Sequence, residues 1–192
     1  MHRLCVDIDN VIARTDEVMR NVITQFTNGR VNYKYSHIVE FDYHKCFDAS
    51  GSACTKEEWR HIHDRFSDPE IILSVPPMEG ARENLIMLSS TFDIHLATTR
   101  LPKARGATLE WLTREGFPPF DIHFLKHGEK HVSMSNFFAA IEDHYDQAVA
   151  FATHGIRCFL LRHPWNQTKP AREGIEWVDN WNELTRRLLA LV

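Results

Sequence analysis

At 192 residues the chain has the length of one α/β domain with room for a modest insertion. Hydrophobic residues at 43% and charged residues at 25% are ordinary for a globular protein, and a net charge of −4 supplies no basic field for a nucleic-acid polymer. No run approaches the roughly 18 apolar residues of a membrane helix, and Asp7 interrupts the short apolar stretch that follows Met1 before it could act as a signal peptide.

In chain order, the first feature is an apolar run at residues 4–8 that leads into Asp7-Ile8-Asp9-Asn10-Val11. As a strand, it places two carboxylates at its carboxyl end, where open α/β sheets bind ligands. Thr15–Phe26 reads as a helix with Asp16 and Glu17 in its first turn and Val18, Val22 and Phe26 along one face. Residues 33–51 are aromatic, polar and irregular. Thr55 and Glu58 then make a capping-box pattern ahead of Trp59, Ile62 and Phe66 at helical spacing. The interval 14–76 far exceeds the dozen or so residues a crossover needs, so it is expected to be a helical cap. Pro69 and Pro76-Pro77 mark its return to a core made of residues 1–13 and 77–192.

Ala81, Leu85 and Leu88 repeat at helical spacing, and a strand is predicted over 92–98. A helix over 103–115 carries Trp111 and Leu112 and stops at Gly116. Strands are expected at 121–125, 137–141 and 157–161, with a helix over 145–154 closed by Gly155. The last helix is capped by Asn180, with Glu183 three residues on and Trp181, Leu184, Leu188 and Leu191 as its apolar stripe. Strands alternating with helices imply a Rossmann-like, doubly wound and mainly parallel α/β sheet covered on both faces. Cys5, Cys46, Cys54 and Cys158 show no Cys-x-x-Cys spacing, and Cys5 and Cys158 fall in strand-like runs; reduced thiols in a cytoplasmic protein are expected.

Four strand ends carry polar groups: Asp7 and Asp9, then Thr98-Thr99-Arg100, then the basic loop from Lys126 to Lys130, then Glu142-Asp143. In a doubly wound sheet these ends converge on one crevice. A carboxylate, a hydroxyl, a lysine and a second acidic pair suit phosphoryl transfer. The acids hold a hard cation such as Mg²⁺, the hydroxyl and ammonium bind phosphate oxygens, and a carboxylate can form an aspartyl-phosphate.

The same residues, in the same order, resemble the four motifs of the haloacid dehalogenase superfamily of phosphohydrolases. The resemblance spans nearly the whole chain, and the interval between the first two motifs falls where that superfamily carries its C1 cap. Leu73-Ser74-Val75-Pro76-Pro77-Met78-Glu79-Gly80-Ala81 is similar to the cap-exit segment of the 5′(3′)-deoxyribonucleotidases. The resemblance implies Asp7 as nucleophile and Asp9 as general acid/base, with Thr98 binding the transferring phosphoryl group. Asp7, the Asp9 backbone carbonyl and Asp143 would hold Mg²⁺, with Glu142 close by. For the third-motif lysine, Lys126 and Lys130 are both in range; Lys130 is preferred, because it follows a Gly128 turn and lies 13 positions before Asp143. Thr99 and Arg100 are expected to bind substrate, although Arg100 is equally placed to cap the next helix.

The implied activity is Mg²⁺-dependent phosphomonoester hydrolysis. Its substrate would be small and phosphorylated, a nucleoside monophosphate first and a sugar phosphate or other metabolite second. A non-catalytic binding module on the same scaffold is the alternative from another class. No membrane or nucleic-acid partner is expected. His61 and His63 should be solvated, and so should His127 in the cluster His123, His127, His131. Phe41, Tyr43, Phe47 and Trp59 are read first as a small cap core and second as a stacking surface. Trp165 lies near the crevice rim, either shielding it or packing its own loop.

Overall fold

A computed structural model describes all 192 residues. Six strands form one sheet: β1 (His2–Asp7), β2 (Phe92–Thr98), β3 (Asp121–Phe124), β4 (Ala139–Glu142), β5 (Arg157–Leu161) and β6 (Ile175–Val178). Their order is β3-β2-β1-β4-β5-β6 and every neighbouring pair is parallel. The chain builds outward from β1 through β2 to β3, then crosses back to place β4 on the other side of β1. The carboxyl ends of β1 and β4 therefore flank the point where strand order reverses, the usual ligand crevice of such sheets. Val6 is paired with Ile141, which brings Asp7 and Glu142 next to each other at one level.

Alternation along β1 assigns the two faces. Leu4, Val6 and Ile8 join a buried cluster of 39 residues with Leu85, Leu88, Trp111, Leu184 and Leu188, the apolar stripes of α4 (Ala81–Leu88), α5 (Arg105–Arg114) and α8 (Trp181–Leu189). Cys5 points the other way, into a cluster of 11 with Ala148 and Phe151 of α7 (Tyr145–Thr153). The Asn180 cap of α8 is formed: its side chain accepts the Glu183 amide at 3.0 Å. All four cysteines are free and buried, and no helix is long and apolar enough to cross a membrane.

Between β1 and α4 lie α1 (Thr15–Phe26), α2 (Lys56–Arg65) and α3 (Pro69–Ser74), with short 3₁₀ turns at Tyr35–His37 and Tyr43–Lys45. The chain leaves and returns side by side: Arg14 N donates to Pro76 O and Met78 N to Ile12 O, both at 2.8 Å. Val31, Tyr33, Ile38 and Ile62 from this interval belong to the same 39-residue cluster as Leu4 and Val6. A segment this short buries too little apolar surface alone, so its inner side is continuous with the core.

Several expectations change. The sixth strand, β6, was not expected; it is an edge strand whose short apolar stretch is broken by Glu176. Strand β4 begins at Ala139 rather than Phe137, whose amide instead closes a turn on Met134 O. Pro69 does not simply mark a return but opens α3 at its first turn, where a missing N–H costs nothing. The four aromatics proposed as a cap core divide. Tyr43 is buried and stacks on Trp59 at 5.0 Å, whereas Phe41 and Phe47 are 42% and 63% exposed.

Candidate active site

The turn after Asp7 is built on backbone groups of Ile8, whose carbonyl accepts from Ile12 and Ala13 at 3.0 and 2.9 Å. To make this turn Asn10 adopts φ of 58°, left-handed backbone that asparagine tolerates better than most residues. Its side chain ties together three parts of the fold. Oδ1 accepts the amide of Asp16 at 2.7 Å and so caps the start of α1 from a distance, while Nδ2 donates to Asp143 Oδ2 at 3.2 Å. In sequence Asn10 belongs to the first motif without a role of its own; its only signal is an amide immediately after an acidic doublet.

Asp7 ends β1 and is buried. Lys130 opens α6 (Lys130–Ser133) after the Gly128 turn, and its Nζ lies 2.5 Å from Asp7 Oδ1 and 2.9 Å from Glu142 Oε1. Of the two candidate lysines it is the one in contact with the carboxylates; Lys126 is exposed at the cleft mouth. Asp7, Glu142 and Asp143 present oxygens all within 4.8 Å of one another. Burial pushes all three carboxyls above the ordinary range, partly offset by Lys130, with Glu142 reaching about 8. The same carboxylates raise the Lys130 ammonium despite its own burial. Three buried carboxylates thus face one ammonium that contacts two of them, and Glu142 Oε2 is buried without a hydrogen-bond partner. An all-oxygen set with surplus negative charge and an unsatisfied oxygen fits a hard divalent cation.

Asp9 is held differently. Arg100 Nη2 reaches its Oδ1 at 2.7 Å, Arg100 Nε lies 3.1 and 3.2 Å from its two oxygens, and Thr15 Oγ1 donates to it at 2.5 Å. Burial pushes the Asp9 carboxyl up, but the Arg100 charge and these hydrogen bonds outweigh it, and the net shift is down. The Asp9 side chain therefore stands outside the acidic trio. Arg100 is 8% exposed and also donates to Thr108 Oγ1 at 3.1 Å, so its side chain neither caps α5 nor lies free on the surface. Thr98 is fully buried at the end of β2. Its Oγ1 accepts the Arg100 amide at 3.2 Å and donates to no group of the protein, while Thr99 is exposed on the cleft wall.

The loop after β5 braces the far side. Asn166 Nδ2 donates to the Asp143 and Leu161 carbonyls at 2.8 and 2.7 Å, and Trp165 Nε1 donates to Asp143 O at 3.3 Å. Trp165 is buried and its ring stacks on His163 at 4.4 Å, so it packs the loop. His163 Nε2 lies 2.9 Å from Asn10 O and Nδ1 lies 2.7 Å from the Tyr35 hydroxyl. A carbonyl only accepts, so Nε2 carries the hydrogen and Tyr35 donates to Nδ1. Burial holds His163 down at about 4, and it is neutral at pH 7.

Above the carboxylates lies a cleft of about 1090 Å³. Its floor includes Asp7, Asp9, Lys130 and Asp143, and the 14–76 interval contributes Phe41, Trp59, Arg60 and His63 to its walls. His61 and His127 are exposed, as expected; His63 is exposed too but faces Trp59, with ring centroids 5.9 Å apart.

This fold and these strand ends define a haloacid dehalogenase-like phosphohydrolase. The family model described as "5' nucleotidase, deoxy (Pyrimidine), cytosolic type C protein" matches residues 2–191, and the chain belongs to that family. It is a hydrolase acting on phosphoric monoesters. No curated protein matches the chain in sequence.

Solved structures share the fold at low identity. CbbY from Rhodobacter sphaeroides, in complex with phosphate, is 14% identical with a TM-score of 0.62 and 96% of each chain covered. A HAD family hydrolase from Deinococcus radiodurans R1, with bound phosphate and sodium, is 15% identical with a TM-score of 0.65, covering 100% of this chain and 96% of that one. A haloacid dehalogenase-like protein from Agrobacterium tumefaciens is 11% identical with a TM-score of 0.66, covering 100% of this chain and 99% of that one.

Proposed function

We propose that the chain is a Mg²⁺-dependent 5′-nucleotidase that releases phosphate from (deoxy)nucleoside monophosphates through an aspartyl-phosphate on Asp7. The observation that carries this reading is the contact of Lys130 with both Asp7 and Glu142, beside Asp143, at the strand-order reversal. Residues 14–76 act as a cap over a core of 1–13 and 77–192. The paired segments at 12–14 and 76–78 support that division.

Asp7 Oδ attacks phosphorus and the ester oxygen departs with a proton from Asp9. Asp9, now ionised, takes a proton from water as that water attacks the aspartyl-phosphate, which frees inorganic phosphate and restores Asp7. Lys130 orients Asp7 and offsets charge on the phosphoryl oxygens. The undonated Thr98 hydroxyl hydrogen and the exposed Thr99 hydroxyl supply hydrogen bonds to those oxygens. Asp7, Asp143 and Glu142, with the Asp9 carbonyl, would hold Mg²⁺, which supplies charge stabilisation at the phosphoryl group. An arriving phosphate dianion raises the Asp9 carboxyl by like-charge repulsion, opposing Arg100, and so prepares it to donate.

The cleft is larger than a phosphate group requires, and the aromatic and basic side chains on its walls suit a planar leaving group. A panel of nucleoside and deoxynucleoside monophosphates, sugar phosphates and p-nitrophenyl phosphate, each with Mg²⁺ and with chelator, tests the reading. Nucleotides are expected to give the highest kcat/KM and chelator to abolish turnover. A higher kcat/KM for sugar phosphates would replace the substrate assignment and leave the chemistry intact.

A further inference from the structure

A second group of metal-type side chains sits on the sheet apart from the cleft carboxylates. Asp93 and His95 stand two residues apart on β2, Asp121 and His123 two apart on β3, and the register sets His95 opposite Asp121. Residues two apart on a strand share a face, and opposed residues of neighbouring strands share it too. All four side chains therefore lie on one side of this pair, whose outer member β3 is the edge of the sheet. His95 packs edge-on against Phe137 at 5.0 Å, while His123 is half-buried and Asp121 is 80% exposed.

The two imidazoles are aimed at each other. His95 Nε2 lies 3.0 Å from Asp93 Oδ2, and His95 Nδ1 lies 3.1 Å from His123 Nε2. The Asp93 carboxylate only accepts, so it fixes the His95 hydrogen on Nε2 and leaves the Nδ1 lone pair facing His123. Without a metal, His123 fills that lone pair by donating from Nε2. Shifting this one hydrogen to His123 Nδ1 makes both facing nitrogens acceptors, and a rotation of the half-buried His123 ring then lets the two address one ion off the line between them. Two imidazole nitrogens on a tetrahedral Zn²⁺ lie roughly 3.3 Å apart, from Zn–N bonds of about 2.05 Å, and the observed separation is 3.1 Å. A carboxylate on the remote nitrogen is the usual orienting partner of a metal-bound histidine. Asp121 Oδ2 is 3.9 Å from His95 Nδ1 but is not gathered with both nitrogens as the cleft trio is, so its exposed side chain has to turn inward to serve as a third donor.

We propose that His95, His123 and Asp121 form a second metal site, for a borderline-soft divalent transition-metal ion such as Zn²⁺, with Asp93 as its positioning residue. The donor types separate it from the cleft, where the oxygen-only trio favours a hard ion and the nitrogen pair here favours zinc or cobalt. Asp7, Ala97 and His123 are in register across β1, β2 and β3, so the two sites stand about 10 Å apart across two strand spacings. An open depression of about 440 Å³ is lined in part by Asp93 and Asp121, so the two carboxylates border solvent.

The test uses Co²⁺ as a visible probe on the full chain in a large excess of Mg²⁺, with stoichiometry read by equilibrium dialysis. Wild type is expected to retain one Co²⁺ that Mg²⁺ does not displace, with a visible d–d band. His123→Ala should lose both. Asp121→Ala, altered at an exposed position that folding tolerates, should weaken binding at least tenfold, and Asp93→Asn roughly 10–100-fold. No Mg²⁺-resistant Co²⁺ in wild type would overturn the proposal. So would full stoichiometry and an unchanged band in both His123→Ala and Asp121→Ala.

Discussion

Two aspartates separated by one residue have opposite surroundings, and the division of work proposed for them rests on that opposition. Asp7 shares one ammonium with Glu142 beside a third buried carboxylate, Asp143, whereas Asp9 has a guanidinium and a hydroxyl to itself. Acid and base roles tend to fall to titratable groups whose environments drive them apart. Asp9→Asn is expected to lower kcat roughly 10²–10⁴-fold, the usual worth of a positioned acid/base. Arg100→Leu removes the main influence holding the Asp9 carboxyl down. The alkaline limb of its kcat/KM profile should move to higher pH, because Asp9 must carry the proton it gives to the leaving oxygen; an unmoved limb would show that Asp9 does not set it. The acidic doublet, the basic loop and Glu142-Asp143 were all legible in sequence, because each sits at the end of an apolar run. The Arg100–Asp9 pair was not, since it joins residues 91 apart through a geometry only the sheet creates. The segment with His163 and Asn166 is legible as rim because it follows a strand, but the bonds that His163, Asn166 and Asn10 make across the fold are hidden for the same reason as the Arg100–Asp9 pair.

Among the elements, local rules read well wherever a signal spans one turn. Thr55 and Glu58 form the expected reciprocal bonds at the start of α2, at 2.8 and 3.1 Å. Thr55→Ala should therefore cost about 1 kcal/mol of stability with kcat unchanged, measured by urea unfolding and steady-state kinetics. The strands β1, β4 and β5 were legible because buried parallel strands are near-continuous apolar runs, whereas the half-exposed edge strand β3 stood out only by its place between two helical patterns. Two elements were not: β6 is an edge strand that carries Glu176 between its apolar residues, and α6 is a single turn, each set by what it packs against rather than by its own periodicity. The division of the cap aromatics was hidden for a related reason. Which face of an irregular stretch turns inward depends on partners such as Asp16, which accepts from the Tyr43 hydroxyl at 2.7 Å.

For the molecule as a whole, residues 14–76 and the sheet are joined by polar links as well as by the apolar cluster. His163 is central to them, between Asn10 of the catalytic turn and Tyr35 of the interval. Its folded-state value of about 4 lies below the ordinary 6.5. Between those two values the unfolded chain takes up the proton first, so stability falls as pH drops from 6.5 toward 4. The loss attributable to this one residue approaches about 3 kcal/mol at the acid end. His163→Gln should be less stable at pH 7 yet show a shallower decline in melting temperature across that window. An equal slope in variant and wild type would place the pH dependence elsewhere.

The central claim is that Asp7 is the nucleophile of a phosphomonoesterase, and it is tested most directly on that atom. Phosphate release from p-nitrophenyl phosphate in saturating Mg²⁺ should proceed in wild type and fall on the order of 10³-fold or more in Asp7→Asn. That variant should keep the wild-type fold by circular dichroism. Activity in a folded Asp7→Asn protein within tenfold of wild type would contradict the account.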